Sequence, residues 1–155
     1  MKKFSWNDIE EITDEMARVI RATGFVPDYV VGIAFGGLIP LYFLAKKLNI
    51  ECALTVSASS YEKDKQKGLY ITYLPEIDLR GKKILLVDEI VESGDTLKTI
   101  CDIMLTQYRI GELKTAVLAV NTNKCRWHPD FHAIAVDGEW VVFPWEKSEF
   151  PEYFK

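Results

Sequence analysis

Cysteine is scarce in this chain of 155 residues, and its three cysteines lie far apart. Cys52, Cys101 and Cys125 contain no Cys-x-x-Cys pair, and their odd number is typical of reduced thiols rather than of a disulfide framework. We therefore expect a cytoplasmic protein. Cys125 is followed by His128 and His132, but three such ligands without a fourth do not define a metal site.

Long hydrophobic runs and an excess of positive charge are also absent. The longest uncharged run, Tyr29 to Ala45, is shorter than the ~20 residues of a membrane helix and is broken by the pair Gly36-Gly37 and by Pro40. The first residues lead into an acidic segment, which does not resemble a secretory signal. With a net charge of −4, the chain is expected to bind neither nucleic acid nor an anionic membrane.

The most informative stretch that is present begins with a buried strand and two acids. The apolar run Ile84 to Val87 is short and rich in branched side chains, as in a parallel sheet that is covered on both faces. Asp88 and Glu89 follow it directly, and a third acid, Glu92, comes after two more apolar residues. Such carboxylates can accept hydrogen bonds from hydroxyl groups or hold a hydrated cation.

The next four residues, Ser93-Gly94-Asp95-Thr96, have the composition of a phosphate-binding loop. Helical spacing begins near Thr96, and the N-terminus of a helix attracts an anion through its free N–H groups and its dipole. Gly94 permits a close approach of the backbone, and Ser93 and Thr96 can donate hydroxyl hydrogen bonds. Together with the acids, this loop predicts a ligand that carries a phosphate beside a diol.

Hydrophobic periodicity divides the rest of the chain into alternating helices and strands. Helices are predicted over Trp6–Ala22, about Leu38–Leu48, and from about Thr96 to Tyr108. Strands are predicted over Tyr29–Ala34, Cys52–Ser57, Leu69–Leu74, Ile84–Val87, Lys114–Val120 and Ala133–Val136. This order predicts one α/β domain over residues 1–155, with a mainly parallel central sheet flanked by helices.

Three other segments allow two interpretations each. Phe35-Gly36-Gly37 lies between a buried strand and a helix, so it is either a tight turn or a second anion site. The small and polar residues 57–68 form either a solvated hairpin loop or a mobile lid. The aromatic tail Glu139–Glu146 is either a core lid or subunit contact, or a platform on which a flat ring stacks.

The order of residues in 84–96 resembles the signature of type I phosphoribosyltransferases. The resemblance implies that 5-phosphoribosyl-1-diphosphate (PRPP) is bound here. Asp88 and Glu89 would hold the ribose hydroxyls and help to place Mg²⁺, and Glu92 would handle the proton at purine N7. The loop of Ser93, Gly94, Asp95 and Thr96 would hold the 5-phosphate, with the Asp95 side chain directed outward.

The resemblance extends to the two loops that precede this signature. Phe35, Gly36 and Gly37 correspond to the loop that receives the diphosphate, which often contains a cis peptide, here between Ala34 and Phe35. The family usually has Arg or Lys where Phe35 stands. Ser60 and Tyr61 are similar to the Ser-Tyr pair of the flexible lid in purine members, so that the lid would cover about residues 57–70.

The tail, over about residues 121–155, resembles the base-binding tail of bacterial xanthine-guanine phosphoribosyltransferases. By that match Trp140 stacks on the base, the Val141 carbonyl meets the purine edge, and Glu146 lies nearby. Asn121 stands where purine members commonly carry a Lys that contacts the purine 6-oxygen, and Lys124 lies further along.

The resemblance therefore implies a purine-salvage enzyme that converts PRPP and guanine, xanthine or hypoxanthine into a nucleoside monophosphate and diphosphate. It also implies a homodimer or homotetramer. Two alternatives stay open at this point: a phosphoribosyltransferase for a different base, and a regulatory protein that binds PRPP or a nucleotide without turnover.

Overall fold

A six-stranded sheet forms the centre of the computed structural model, which describes residues 1–63 and 66–155 and, apart from residues 61–63, 66 and 67, their side chains. The helices are α1 (Trp6–Ala22), α2 (Leu38–Lys47) and α3 (Asp95–Thr106), with short 3₁₀ helices at Pro144–Ser148 and Pro151–Phe154. The strands are β1 (Lys2–Lys3), β2 (Tyr29–Ala34), β3 (Ala53–Lys63), β4 (Gln66–Tyr73), β5 (Lys83–Val91), β6 (Glu112–Asn121), β7 (Phe131–Val136) and β8 (Val141–Val142).

The sheet has the strand order β4-β3-β2-β5-β6-β7. Every neighbouring pair is parallel except β3 and β4, which form an antiparallel hairpin. The predicted α/β fold with a mainly parallel sheet is therefore confirmed. A separate parallel pair, β1 with β8, places Lys2 opposite Val141 and so fastens the tail to the start of the chain.

Two apolar clusters cover the two faces of the sheet. One contains Leu85 and Val87 of β5 with residues of α1 and α2, such as Ile9 and Leu44. The other contains Ile84 and Leu86 of β5 with residues of α3. Because successive side chains of a strand point to opposite faces, β5 is buried on both sides, as its apolar run predicts.

The first helix has the predicted bounds because its start is capped locally. Ser5 Oγ accepts a hydrogen bond from the Asp8 N–H, and the Asp8 carboxylate accepts one from the Ser5 N–H. This reciprocal capping box satisfies two donors that a helix start leaves free.

Within the described residues, no helix is long and apolar enough to cross a membrane.

Several strands are longer than the sequence pattern predicts, and β5 and β3 differ most. Strand β5 does not end at Val87 but continues through the acids to Val91, because its pairing with β6 continues to Val120. Strand β3 likewise extends from Ala53 to Lys63, since backbone pairing with β4 includes the small polar residues. Backbone hydrogen bonds do not require apolar side chains, so hydrophobicity alone underestimates both strands.

Candidate active site

A cavity of about 870 Å³ opens at the carboxyl ends of β2 and β5. Its wall is built from three segments that are distant in sequence: the loop after β2, the end of β5 with the start of α3, and the β3–β4 hairpin. The structure thereby brings together Phe35, Gly36, Ser60 and residues 88–97. Ligands of open parallel sheets bind at this edge, so the cavity is the candidate active site.

The glycine loop after β2 is a tight turn into α2. The peptide bond between Ala34 and Phe35 is cis, as the resemblance implies. The Gly37 N–H donates to the Ile33 carbonyl at 2.8 Å, and a Cβ on Gly37 would lie only 2.6 Å from that oxygen. The Phe35 side chain, by contrast, is 90% exposed at the mouth of the cavity.

The paired acids lie in β5 and therefore face opposite sides of the sheet. Asp88 Oδ1 accepts a hydrogen bond from the Glu89 N–H at 2.8 Å. Burial raises the pKa of Asp88 to about 7, although this hydrogen bond lowers it, and the charge of Glu89 raises it further. The ionised form of Asp88 is thus disfavoured in the protein alone, and a cation beside it would stabilise that form.

Glu89 belongs to an acidic group that includes two residues of the tail. Burial is the main cause that raises the pKa of Glu89, and the charges of Glu146 and Glu149 raise it further. A hydrogen bond from the Trp145 indole N–H to Glu89 Oε2, 2.8 Å long, acts in the opposite direction. Oxygen ligands with uncompensated charge suit Mg²⁺, which commonly takes one or two protein carboxylates and completes its shell with phosphate and water oxygens.

Glu92 is held by two nitrogen donors at the end of the neighbouring strand. Asn121 Nδ2 lies 3.0 Å from Glu92 Oε2, and Lys124 Nζ lies 3.2 Å from the same oxygen. Asn121 is only 2% exposed, and its Oδ1 accepts a hydrogen bond from the Asn123 N–H at 3.2 Å. Lys124 therefore reaches Glu92 despite its later place in the chain, because residues 121–125 turn back towards the end of β5.

The loop that is predicted to bind phosphate rests on a segment that the sequence pattern does not predict to be part of the site. Gly94 has a φ of +91°, and a Cβ at this position would lie 2.4 Å from the Trp127 carbonyl oxygen. The Arg126 N–H donates to the Ser93 carbonyl at 2.9 Å, and its guanidinium pairs with Asp95 Oδ2 at 2.8 Å. Helix α3 begins at Asp95, one residue before the predicted start near Thr96.

The predicted base-binding residues of the tail do not border this cavity. Trp140 is 56% exposed and contacts the edge of the Phe150 ring, with 5.7 Å between centroids. Val141 lies in β8, and Glu146 Oε2 accepts the Phe143 N–H at 2.7 Å at the start of the 3₁₀ helix. The direct contact between tail and cavity wall is made by Trp145, whose ring nitrogen no local pattern places near Glu89.

The cysteine and histidine residues after β6 do not form a metal centre. In the part of the chain that the structure describes, no three His, Cys, Asp or Glu side chains are grouped to hold a metal ion. The Cys125 thiol instead donates to the Trp127 carbonyl at 3.2 Å, next to the phosphate loop.

A phosphate loop at a helix start, paired carboxylates and a glycine turn at one edge of a parallel sheet define a protein that binds a phosphorylated sugar. The model of the phosphoribosyl transferase domain family matches residues 5–149, and the chain belongs to this family. A xanthine-guanine phosphoribosyltransferase of Cereibacter sphaeroides is 31% identical over 93% of this chain and 86% of its own length.

Solved structures agree with this assignment. A purine phosphoribosyltransferase of Pyrococcus horikoshii matches with a TM-score of 0.82 and 26% identity, over 93% of this chain and 92% of its own. The xanthine-guanine-hypoxanthine phosphoribosyltransferase of Helicobacter pylori has a TM-score of 0.86 over 99% of both chains. At 24% identity, that second likeness shows the fold alone.

Proposed function

We propose that this protein is a purine-salvage phosphoribosyltransferase that transfers phosphoribose from PRPP to a 6-oxopurine, namely guanine, xanthine or hypoxanthine. The observation that carries the proposal is the ion pair between Lys124 Nζ and Glu92 Oε2, 3.2 Å long, because Glu92 lies in the chain between the acids of β5 and the loop of residues 93–96. A relative that is 31% identical over 93% of this chain is a xanthine-guanine phosphoribosyltransferase, which supports the same class of base.

We infer one orientation of PRPP in the cavity from the groups that line it. Its 5-phosphate accepts hydrogen bonds from the loop of Ser93, Gly94 and Thr96 at the start of α3. Its ribose hydroxyls donate to Asp88 and Glu89, and its diphosphate lies over the turn at Gly36 and Gly37. Asp95 is already paired with Arg126, so its charge is partly compensated and does not oppose the phosphate.

The donor set at the end of β5 fits Mg²⁺ together with PRPP. Asp88 and Glu89 present carboxylate oxygens whose pKa values are raised mainly by burial, which a bound cation would reverse. These two residues would hold the ion, partly through ribose and water oxygens. When bound, Mg²⁺ neutralises charge on the departing diphosphate.

The purine base is recognised by a pair of opposite charges. In its N7–H tautomer, a 6-oxopurine presents a donor at N7 beside an acceptor at O6. The Glu92 carboxylate and the Lys124 ammonium are the complement of that edge, whereas the amino group of adenine would oppose the ammonium. Asn121 lies beneath them and keeps Glu92 in place through its amide.

The reaction joins base and sugar while diphosphate departs. Base N9 forms a bond to ribose C1, and the bond from C1 to the diphosphate oxygen breaks, with its electron pair leaving on the diphosphate. Glu92 accepts the proton from N7, which prevents a positive charge on the product base. Ser60 borders the cavity on the hairpin, which we infer closes over the site and excludes water; the Tyr61 side chain lies outside the described side chains.

The tail completes the base site when the ligand is bound. The carbonyls of Trp140 and Val142 accept hydrogen bonds from the N–H groups of Lys2 and Phe4, so the alternating Val141 carbonyl points away from β1. It is therefore available to a purine edge. The exposed Trp140 ring offers a stacking surface, and we assign Glu146, whose Oε2 accepts the Phe143 N–H, to the same base site.

Diphosphate release from PRPP, measured with guanine, xanthine, hypoxanthine, adenine and pyrimidines, tests the proposal. We expect turnover with at least one 6-oxopurine and little with adenine. Turnover only with another base would overturn the base assignment, and PRPP binding without any turnover would identify a sensor. Gel filtration and fractionation test the homodimer or homotetramer and the cytoplasmic location that we propose with this function.

Glu92→Gln separates chemistry from binding in the same assay. Its amide cannot accept the proton, so kcat should fall by about 10²-fold or more. The Kd for PRPP, measured by calorimetry, should change by less than about threefold. Unchanged kcat would show that another group handles the proton.

A further inference from the structure

Trp145 has a fixed position in the tail. It is the second residue of the 3₁₀ helix Pro144–Ser148, and its ring stacks on the buried Phe143 with 4.8 Å between centroids and 2° between planes. Trp6 of α1 packs on it at 5.9 Å. Since two protein rings pack against the indole, its orientation is set before any ligand binds.

The indole N–H is directed at one oxygen of Glu89. The distance from Nε1 to Oε2 is 2.8 Å. An indole nitrogen donates only, and a bond to a carboxylate is stronger than one to a neutral acceptor. The side-chain torsion angles of Trp145 fix its indole N–H, and this N–H in turn fixes the position of the Glu89 carboxyl group.

The same carboxyl group rests against the diphosphate turn. A Cβ built on Gly36 would lie 2.2 Å from both Cδ and Oε1 of Glu89. Glu89 thus occupies the space that only a glycine leaves free, with Oε2 on Trp145 and Oε1 beside Gly36. One side chain of β5 joins the tail to the turn after β2.

We propose that Trp145 is a positioning residue for the PRPP half of the site: its indole N–H holds Glu89 against Gly36, so the tail and the PRPP site form as one unit. The inference rests on the proposed function for the identity of the ligand. It adds that the tail contributes to PRPP binding even though its residues 140–142 lie outside the cavity wall. Loss of this one hydrogen bond should therefore affect PRPP more than the base.

Trp145→Phe tests this inference, because phenylalanine can stack on Phe143 but has no N–H. We expect the Kd and KM for PRPP to rise about tenfold, with kcat and the KM for guanine changed less than about threefold. Trp6→Phe makes the same ring change on the neighbouring tryptophan but keeps an aromatic ring against Trp145 and removes no hydrogen bond to Glu89, so all constants should stay within about twofold. Equal behaviour of the two variants would overturn the inference.

A double-mutant cycle shows whether Trp145 acts through Glu89. If it does, Trp145→Phe should have little further effect on PRPP binding in a Glu89→Ala background, whereas a purely structural role gives additive losses. If Trp145→Phe does not fold, benzothienylalanine at position 145 replaces N–H by sulfur within the same ring shape and permits the same comparison. Absence of PRPP binding by the wild-type protein would instead refute the proposed function itself.

Discussion

Asn121 and Glu92 are joined by a hydrogen bond of 3.0 Å between the ends of two adjacent parallel strands. The register of β5 and β6 places Val91 opposite Val120. The residues that follow them, Glu92 and Asn121, are therefore neighbours. A family position usually occupied by a cation is here an amide that orients the acid, while Lys124, three residues later, supplies the charge.

Because Lys124 is the cation beside Glu92, we predict that Lys124→Met changes the preference for the base. We expect kcat/KM for guanine to fall about tenfold or more, because O6 loses its partner. The kcat/KM for adenine should not fall, so the ratio of kcat/KM for guanine to that for adenine should decrease. Lys98→Met is the matched control, since Lys98 pairs with Asp102 on the exposed surface of α3. Equal losses for both bases would argue against a role of Lys124 in specificity.

Phe35 gives an opportunity to strengthen the diphosphate site. The side chain is 90% exposed beside the glycine turn, so Phe35→Arg should be tolerated without loss of folding. An added guanidinium near the diphosphate should tighten PRPP binding about fivefold at low salt and less at high salt. Phe35→Gln adds polarity without charge; if it has the same effect, electrostatics is not the cause.

Alanine substitutions at Gly94 and Gly81 distinguish the effect of backbone strain from that of steric conflict. Both have positive φ, at +91° and +72°, but a Cβ on Gly81 meets nothing within 4 Å whereas one on Gly94 meets the Trp127 carbonyl. Gly81→Ala should lower the free energy of unfolding by about 1 kcal/mol and leave PRPP binding unchanged. Gly94→Ala should lower it more and weaken PRPP binding at least tenfold, as thermal melts and calorimetry will show. If the two variants bind PRPP equally, the contact with Trp127 does not shape the phosphate loop.

Asp88 should make the ligand-free protein less stable as pH rises. Its pKa is about 7 in the folded protein and near 3.8 in the unfolded chain, so between these values the folded state binds more protons. The free energy of unfolding therefore falls as pH rises from about 4 to 7 and then becomes level. The expected contribution is on the order of 2 kcal/mol, because water in the open cavity offsets part of the burial.

Urea denaturation of the wild type and of Asp88→Asn, at pH 5, 6, 7 and 8, isolates this contribution. The difference between the two curves should favour the variant increasingly towards pH 7. Parallel curves would show that Asp88 remains ionised throughout. Glu89 shifts in the same direction and is present in both proteins, so the difference between the curves reports Asp88 together with its coupling to Glu89.

Local patterns were sufficient to predict the order of helices and strands and the position of the loop before α3. Helix α1 has its predicted bounds because each end has a local signal. A capping box marks its start, and Gly24, which has a positive φ, follows its end. The phosphate loop was visible because its strand, its glycine and its helix start are contiguous. The end of β5 was placed too early because strand pairing with β6 depends on residues far along the chain.

The amino-acid sequence by itself determined the alternation of strands and helices, the acids before the phosphate loop and hence the family. Only the tertiary structure decided that Lys124 meets Glu92, that Trp127 supports Gly94, and that Trp145 rather than Trp140 touches the cavity wall. The physical reason is distance along the chain: periodicity and capping act over a few residues, whereas these contacts depend on strand register and on how the tail packs over α1.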